Sequence, residues 1–113
     1  MDLVDLDDRD FHICVDIEKG TQLGPVATTS IDDGRTVFAA YVTGHGRGQG
    51  LLKRTDDGGR TWSERLPVPD DWSTLLQVPT IFAMPGQDGG PRLLLFTGHY
   101  PIRLTVSDDL AET

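Results

Sequence analysis

The chain has 113 residues and a formal net charge of −8, with 13 glycines and 7 prolines. This acidic balance speaks against nucleic acid and against an anionic membrane as partners, because both are negatively charged. Residues 1–10 hold five aspartates and one arginine, so they lack the basic and apolar regions of a signal peptide. Two localisations therefore remain as alternatives. The full-length protein is secreted or periplasmic and its leader has been removed, or it is cytoplasmic.

The glycines and prolines separate short runs of β-branched and aromatic residues, and no long stretch has helical periodicity. This pattern predicts an all-β fold. Residues 1–22 read as an acidic tail and a first strand, because apolar side chains alternate along residues 11–17. Cys14 lies in this strand and is the single cysteine, so no internal disulfide forms. We expect a buried apolar residue there rather than a nucleophile or ligand.

Two similar units follow, at residues 23–75 and 76–113. Each has a strand, a turn with Asp and Gly, an apolar run, a Thr-Gly-His triplet and another strand. Corresponding positions are 52 or 54 residues apart: Thr28 and Thr80, His45 and His99, Thr55 and Ser107. Two consecutive propeller blades, each a four-stranded sheet, explain such a repeat.

Residues 55–62 read Thr-Asp-Asp-Gly-Gly-Arg-Thr-Trp, which matches the Asp-box, a hairpin-turn motif of propeller blades. Asp57 is expected to bond backbone N–H groups of its own turn, and Gly59 to supply a positive φ. Trp62 is expected to fold over the turn and cover the gap between neighbouring sheets, with its N–H near water or a carbonyl. The motif predicts architecture rather than chemistry. Its constrained residues are Thr55, Asp57, Gly59, Thr61 and Trp62.

Residues 107–113 read as a degenerate second Asp-box. Ser107, Asp109 and Thr113 keep the register of the first, while Ala111 stands where glycine belongs. Because the motif is cut before its aromatic position, we expect a fragment of a longer protein. The alternative is a chain that associates with copies of itself to cover exposed sheet faces and edges.

Several separate segments together resemble a bacterial branch of the sialidase (neuraminidase) superfamily, of the kind labelled exo-alpha-sialidase or BNR-repeat protein. The similarity runs over about residues 11–113, and the segments are 23–25, 41–48, 53–69, 78–80 and 100–103. It implies a six-bladed β-propeller with a central sugar pocket, and therefore sialic acid or another anionic glycan as the partner.

On this resemblance the chain supplies about two four-stranded blades and an N-terminal strand that completes the last blade. Residues 23–75 are blade 1 with its Asp-box at 55–62. Residues 76–113 are blade 2, truncated in the degenerate Asp-box.

Sialidases of this fold clamp the sugar carboxylate with three arginines and use an Asp acid and a Tyr–Glu nucleophile. The first arginine belongs to an Arg-Ile-Pro segment, which here reads Gly24-Pro25-Val26. The loop that should supply the acid, residues 44–50, contains no Asp. His45 is the candidate acid or base in its place, and Arg47 is a candidate anion ligand.

The second loop offers the substrate-binding candidates His99, Tyr100 and Arg103, and both loops should lie at the end of the sheets opposite the Asp-boxes. The alternative for these loops is a tight glycine turn with solvated charges. Trp72 could stack on a sugar ring or pack between blades. No spacing of Cys or His indicates a metal site, and no cofactor motif is present.

Two function classes remain. One is a sialidase-type glycoside hydrolase of which this chain holds only part of the pocket. The other is a non-catalytic propeller that binds glycan or protein, which the missing arginine and missing acid favour. In both cases we expect the isolated chain to be inactive on a sialoside, because the Tyr–Glu pair and the other arginines belong to later blades.

Overall fold

The computed structural model describes residues 7–45, 47–98 and 101–112. Its strands form two antiparallel three-stranded sheets, with neighbouring strands in chain order. Sheet 1 consists of β1 (Leu23–Ile31), β2 (Thr36–Thr43) and β3 (Gly50–Thr55). Sheet 2 consists of β4 (Thr80–Pro85), β5 (Pro91–Thr97) and β6 (Arg103–Ser107). The all-β prediction is therefore confirmed.

Within the described residues, three short 3-10 segments accompany the strands: Arg9–Phe11, Asp32–Gly34 and Asp70–Thr74. The last of these lies on the connection between the sheets. No helix in the described part of the chain has the length and apolar character needed to cross a membrane.

The core lies between the two sheets. Phe38, Ala40 and Val42 point from β2 toward Leu93 and Leu95 of β5, and all five side chains are buried in one cluster. The first strands of the two sheets run beside each other, where the Ala83 backbone N–H donates to the Thr29 hydroxyl at 3.0 Å. This bond satisfies a backbone N–H on the edge of sheet 2 that is not paired with another strand.

Strand β2 is buried along almost its whole length because both of its faces are covered. Sheet 2 covers one face. Ala39, Tyr41 and Leu51 form a smaller buried cluster on the other face, against which Leu23 and Trp62 pack.

Sheet 2 has one covered face and one exposed apolar face. Its exposed large apolar side chains are Phe82, Met84, Phe96, Leu104 and Val106. Phe82, Leu94 and Val106 pair across the three strands in one row. The counterpart of Val106 in sheet 1 is Arg54, and its row, Thr29–Phe38–Arg54, lies on the face that packs against sheet 2. The same side of the repeat is thus buried in sheet 1 and exposed in sheet 2.

The described residues 12–18, where the sequence predicts an N-terminal strand, belong to neither sheet. Ile17 is 80 % exposed and Ile13 is 47 % exposed, so the alternating apolar pattern is not used for strand packing. Cys14 is exposed as well, which corrects the expectation of a buried residue. Polar contacts of Asp16 hold this segment instead. They attach it to sheet 1 without backbone pairing to a strand.

Sheet 1 has three regular strands, where four were predicted for blade 1, and sheet 2, the truncated blade 2, also has three. In sheet 1 an irregular segment takes the fourth position: Ser63 N–H donates to Arg54 C=O and Leu66 N–H to Leu52 C=O, both at 2.8 Å. The Ser63 hydroxyl accepts from the Arg54 N–H at 3.0 Å, which replaces a backbone pairing. Prolines at 67 and 69 then offer no N–H, so the pairing cannot continue as a ladder.

Candidate functional site

The turn at residues 55–62 has the hydrogen bonds that the Asp-box predicts. The Asp57 carboxylate accepts from the Thr61 N–H at 2.9 Å, from the Thr61 hydroxyl at 2.5 Å and from the Thr55 hydroxyl at 2.8 Å. The hydrogen bonds from Thr61 and Thr55 hold the pKa of Asp57 well below its usual range. Gly59 has φ +93° and donates its N–H to the Thr55 hydroxyl at 3.0 Å.

Trp62 closes this turn. Its indole N–H donates to the Gly59 carbonyl at 3.0 Å, as predicted. Its ring packs on Tyr41, Ala39 and Leu51, which lie on the face of sheet 1 that points away from sheet 2. The expectation that Trp62 fills the gap between two sheets is therefore corrected for the two sheets of this chain.

The degenerate second motif forms a related turn. Ser107 donates its hydroxyl to the Asp109 carboxylate at 2.9 Å and accepts the Ala111 N–H at 2.8 Å. These bonds correspond to those of Thr55 with Asp57 and Gly59. Ala111 takes the glycine position with φ +61°, a left-handed conformation that costs an alanine about 1 kcal/mol. Its buried methyl group in the core offsets part of that strain.

The loop containing His45 and Arg47 lies at the opposite end of sheet 1 from the Asp-box turn. At the Asp-box end, Gly58 N–H donates to the Arg35 carbonyl at 2.8 Å, which joins that turn to the β1–β2 turn. At the other end, Gly48 and Leu75 exchange two backbone hydrogen bonds, at 3.0 and 2.7 Å. The β2–β3 loop and the connection between the sheets therefore meet at one surface, which we call the loop end.

His45 and Arg47 are both exposed at the loop end. The backbone around them is tight, since a Cβ at Gly48 would lie 2.0 Å from the Thr43 carbonyl oxygen. A Cβ at Gly44, which has φ +77°, would lie 2.9 Å from the Arg47 carbonyl oxygen. The glycines are therefore needed for the turn itself, whatever the side chains of His45 and Arg47 do.

Arg103 lies at the loop end in a cleft of about 260 Å³ between the connection and the β5–β6 loop. Its guanidinium Nη1 is 3.2 Å from the Asp71 carboxylate. The rest of the lining is hydroxyl-bearing, small or apolar: Ser73, Thr74, Leu75, Leu76, Thr97, Gly98 and Pro101. An arginine beside several hydroxyl groups can bind a carboxylate and neighbouring sugar hydroxyls. The predicted substrate-binding residues His99 and Tyr100 lie outside the described part of the chain.

Trp72 does not present a ring face to the loop end. It is 1 % exposed and belongs to the core between the sheets, which favours the packing alternative over sugar stacking. Gly50 makes this position possible, because a Cβ there would lie 2.6 Å from the Trp72 ring and from the Leu75 side chain. The buried Trp72 indole nitrogen has no hydrogen-bond partner among the described residues.

Sequence reasoning missed a polar cluster around Asp16 on the outer face of sheet 1. The Asp16 carboxylate accepts from the Tyr41 hydroxyl at 2.5 Å and from Arg65 Nε at 2.8 Å, and it lies 3.8 Å from Lys53 Nζ. Lys53 also donates to the Val15 carbonyl at 2.7 Å. Residues 15–18 are thereby tied to sheet 1 through partners 25 or more positions away, which no local pattern indicates.

The cluster shifts two pKa values in opposite directions. Burial raises the pKa of Asp16, but hydrogen bonds from Tyr41 and Arg65 outweigh it, so the net pKa is lowered. Burial and the adjacent Asp16 carboxylate raise the pKa of Tyr41 far above its usual value of about 10. Tyr41 is consequently a firmly protonated hydrogen-bond donor.

The described residues contain no group of three or more His, Cys, Asp or Glu side chains that could hold a metal ion. No family model, curated protein or solved structure matches the chain.

Proposed function

We propose that this protein is part of an Asp-box β-propeller of the sialidase superfamily, and that its loop end binds an anionic sugar. The observation that carries the binding proposal is the cleft around Arg103, at the end of the sheets opposite the Asp-box turn. The propeller assignment is supported by the Asp57 hydrogen bonds and by the two sheets that pack face to face with β1 beside β4.

The chemistry of the cleft fits a sugar carboxylate. A guanidinium offers several N–H donors in a planar fork that matches the two oxygens of a carboxylate. Ser73, Thr74 and Thr97 line the same space, and hydroxyl-bearing residues are suited to bonds with sugar hydroxyls. The cleft volume, about 260 Å³, is near the lower limit of small-molecule sites, which suits one sugar ring better than an oligosaccharide.

Binding without hydrolysis is the activity that we propose for this chain by itself. Sialidase chemistry needs a tyrosine activated as a nucleophile, and an activated nucleophile has a lowered pKa or a free adjacent base. Tyr41 has neither property. Its pKa is raised, and the adjacent Asp16 carboxylate is not a free base because Arg65 also donates a hydrogen bond to it. The hydrolase proposal therefore concerns a complete propeller, in which other residues supply the nucleophile.

The test is calorimetric titration of N-acetylneuraminic acid into the chain, with neutral N-acetylglucosamine as the ligand control. We expect saturable binding of the acidic sugar and at least fivefold weaker binding by Arg103→Gln. Arg60→Gln is the matched protein control, because Arg60 is an exposed arginine in the Asp-box turn. Equal affinity for both sugars, or equal losses in the two variants, contradicts the proposal.

Self-association is a second, separate proposal about partners. The exposed side chains Phe82, Met84, Phe96, Leu104 and Val106 present an apolar surface on the order of 400 Å², which is comparable to the largest apolar patch of a typical monomer. Two copies that pair these faces bury about 800 Å² in total, less than a stable interface needs. We therefore propose a weak dimer through sheet 2.

A further inference from the structure

We infer that Asp71 is a specificity-determining residue of the loop-end cleft: it occupies Arg103 in the absence of ligand and selects monocarboxylate sugars over dianionic ones. The inference rests on the proposed function, since it concerns the same cleft. Its starting point is the ion pair of Arg103 Nη1 and Asp71 Oδ2 at 3.2 Å, which spans the cleft between the connection and β6.

The position of Asp71 is fixed by its neighbours along the chain. Trp72 follows directly, is buried in the core and donates its backbone N–H to the Pro69 carbonyl at 2.9 Å. Leu75 is held by its two backbone hydrogen bonds to Gly48. A carboxylate on a segment anchored at both ends stays near Arg103, so it competes with any anion that enters.

The pair is nevertheless open to ligand. The Arg103 side chain is 58 % exposed and the Asp71 side chain is 46 % exposed, so both remain in contact with water. One Nη1 bond to Asp71 leaves further guanidinium donors for an incoming carboxylate. Because an exposed ion pair contributes little stability, displacing or sharing Asp71 reduces anion affinity only by a small factor.

The charge balance gives selectivity. Arg103 and Asp71 together are neutral, so an anion in the cleft gains attraction from one group and meets repulsion from the other. For a dianion such as a phosphate ester, the attraction to Arg103 and the repulsion from Asp71 both double, so the affinity penalty that Asp71 alone imposes is twice that for a monoanion. The described residues that line the cleft include no second arginine to offset this penalty. A monocarboxylate can take the planar fork of Arg103 with less repulsion, and rejection by an unfavourable charge is a common source of specificity.

The test compares Asp71→Asn with Asp70→Asn, an exposed carboxylate of the same segment, against two probes at pH 8. The probes are N-acetylneuraminic acid, a monoanion, and glucose 6-phosphate, a dianion. We expect Asp71→Asn to bind N-acetylneuraminic acid two- to fivefold more tightly, and to gain a larger factor for glucose 6-phosphate. Asp70→Asn should gain less for both, and melting temperatures of both variants should stay close to that of the wild type.

The outcomes separate this inference from the proposed function. If Arg103→Gln weakens binding while Asp71→Asn leaves it unchanged or weaker, the role of Asp71 is overturned and the binding proposal stands. Binding that appears only in Asp71→Asn supports the competitor role. If neither the wild type nor Asp71→Asn binds either probe, both proposals are overturned.

Discussion

The Tyr41 hydroxyl donates a 2.5 Å hydrogen bond to Asp16, which lies 25 residues earlier in the chain. This contact joins a segment without regular structure to the central strand of sheet 1. The Arg65 guanidinium meets the same carboxylate from the irregular fourth segment of the sheet. Asp16 thus connects three parts of the chain that are distant in sequence.

Asp16→Ala should lower the free energy of unfolding by about 2 kcal/mol, because it removes charge-assisted hydrogen bonds from a largely buried carboxylate. Tyr41→Phe should cost about 1 kcal/mol, since only one hydroxyl is lost. Urea denaturation followed by fluorescence measures both. Glu64→Gln is the control, because Glu64 is exposed and adjacent to Arg65. A loss in Glu64→Gln equal to that in Asp16→Ala would contradict the special role of Asp16.

The contribution of Asp16 should depend on pH in a defined direction. Its pKa is lowered on folding, so its stabilisation is present above the unfolded value of about 3.9 and disappears as pH falls through the lower folded value. The difference in unfolding free energy between wild type and Asp16→Asn should therefore be constant near pH 7 and shrink below about pH 4. A difference that grows on acidification would exclude this assignment.

Gly50→Ala should destabilise the fold by about 1–3 kcal/mol through overpacking, because its Cβ would overlap the Trp72 ring and the Leu75 side chain. The Trp72 environment should change at the same time. Thermal melting measures the stability, and fluorescence in a Trp62→Phe background isolates Trp72. Unchanged stability and unchanged emission would mean that Trp72 does not pack over Gly50.

Phe82→Glu should abolish the weak dimer, because a charge on the exposed apolar face would be desolvated in the contact. Sedimentation equilibrium at increasing concentration, up to about 1 mM, should show association of the wild type and none of the variant. Ile17→Glu is the matched control, since Ile17 is an exposed isoleucine outside sheet 2. Equal sedimentation of all three proteins would refute the proposed contact.

The isolated chain should not hydrolyse a fluorogenic sialoside, because Tyr41, the tyrosine in the described part of the chain, is a protonated donor to Asp16 rather than an activated nucleophile. The assay needs an authentic sialidase as a positive control and an extended incubation near pH 5.5 and pH 7. Turnover that survives further purification would show that the chain holds a complete catalytic site.

Local features were predictable because their causes are local. The hydrogen bonds of Asp57 and the positive φ of Gly59 arise within eight residues, and the sequence pattern of the Asp-box encodes both. The alternation of turns and apolar runs likewise predicted the six strands. The strand prediction for residues 11–17 had the same local basis. Alternating apolar residues indicate that a segment is suited to a strand, but they do not indicate whether a partner strand is present.

By itself, the sequence determined an all-β chain, the Asp-box turn and the opposition of that turn to the loop end, because strand alternation and turn chemistry act over short range. Only the tertiary structure decided that Trp72 fills the core, that Asp16 anchors residues 15–18, and that Asp71 meets Arg103 across 32 residues. Such contacts depend on how two sheets pack and on which face remains uncovered. The types of two side chains do not indicate whether residues far apart in sequence come into contact in the folded chain.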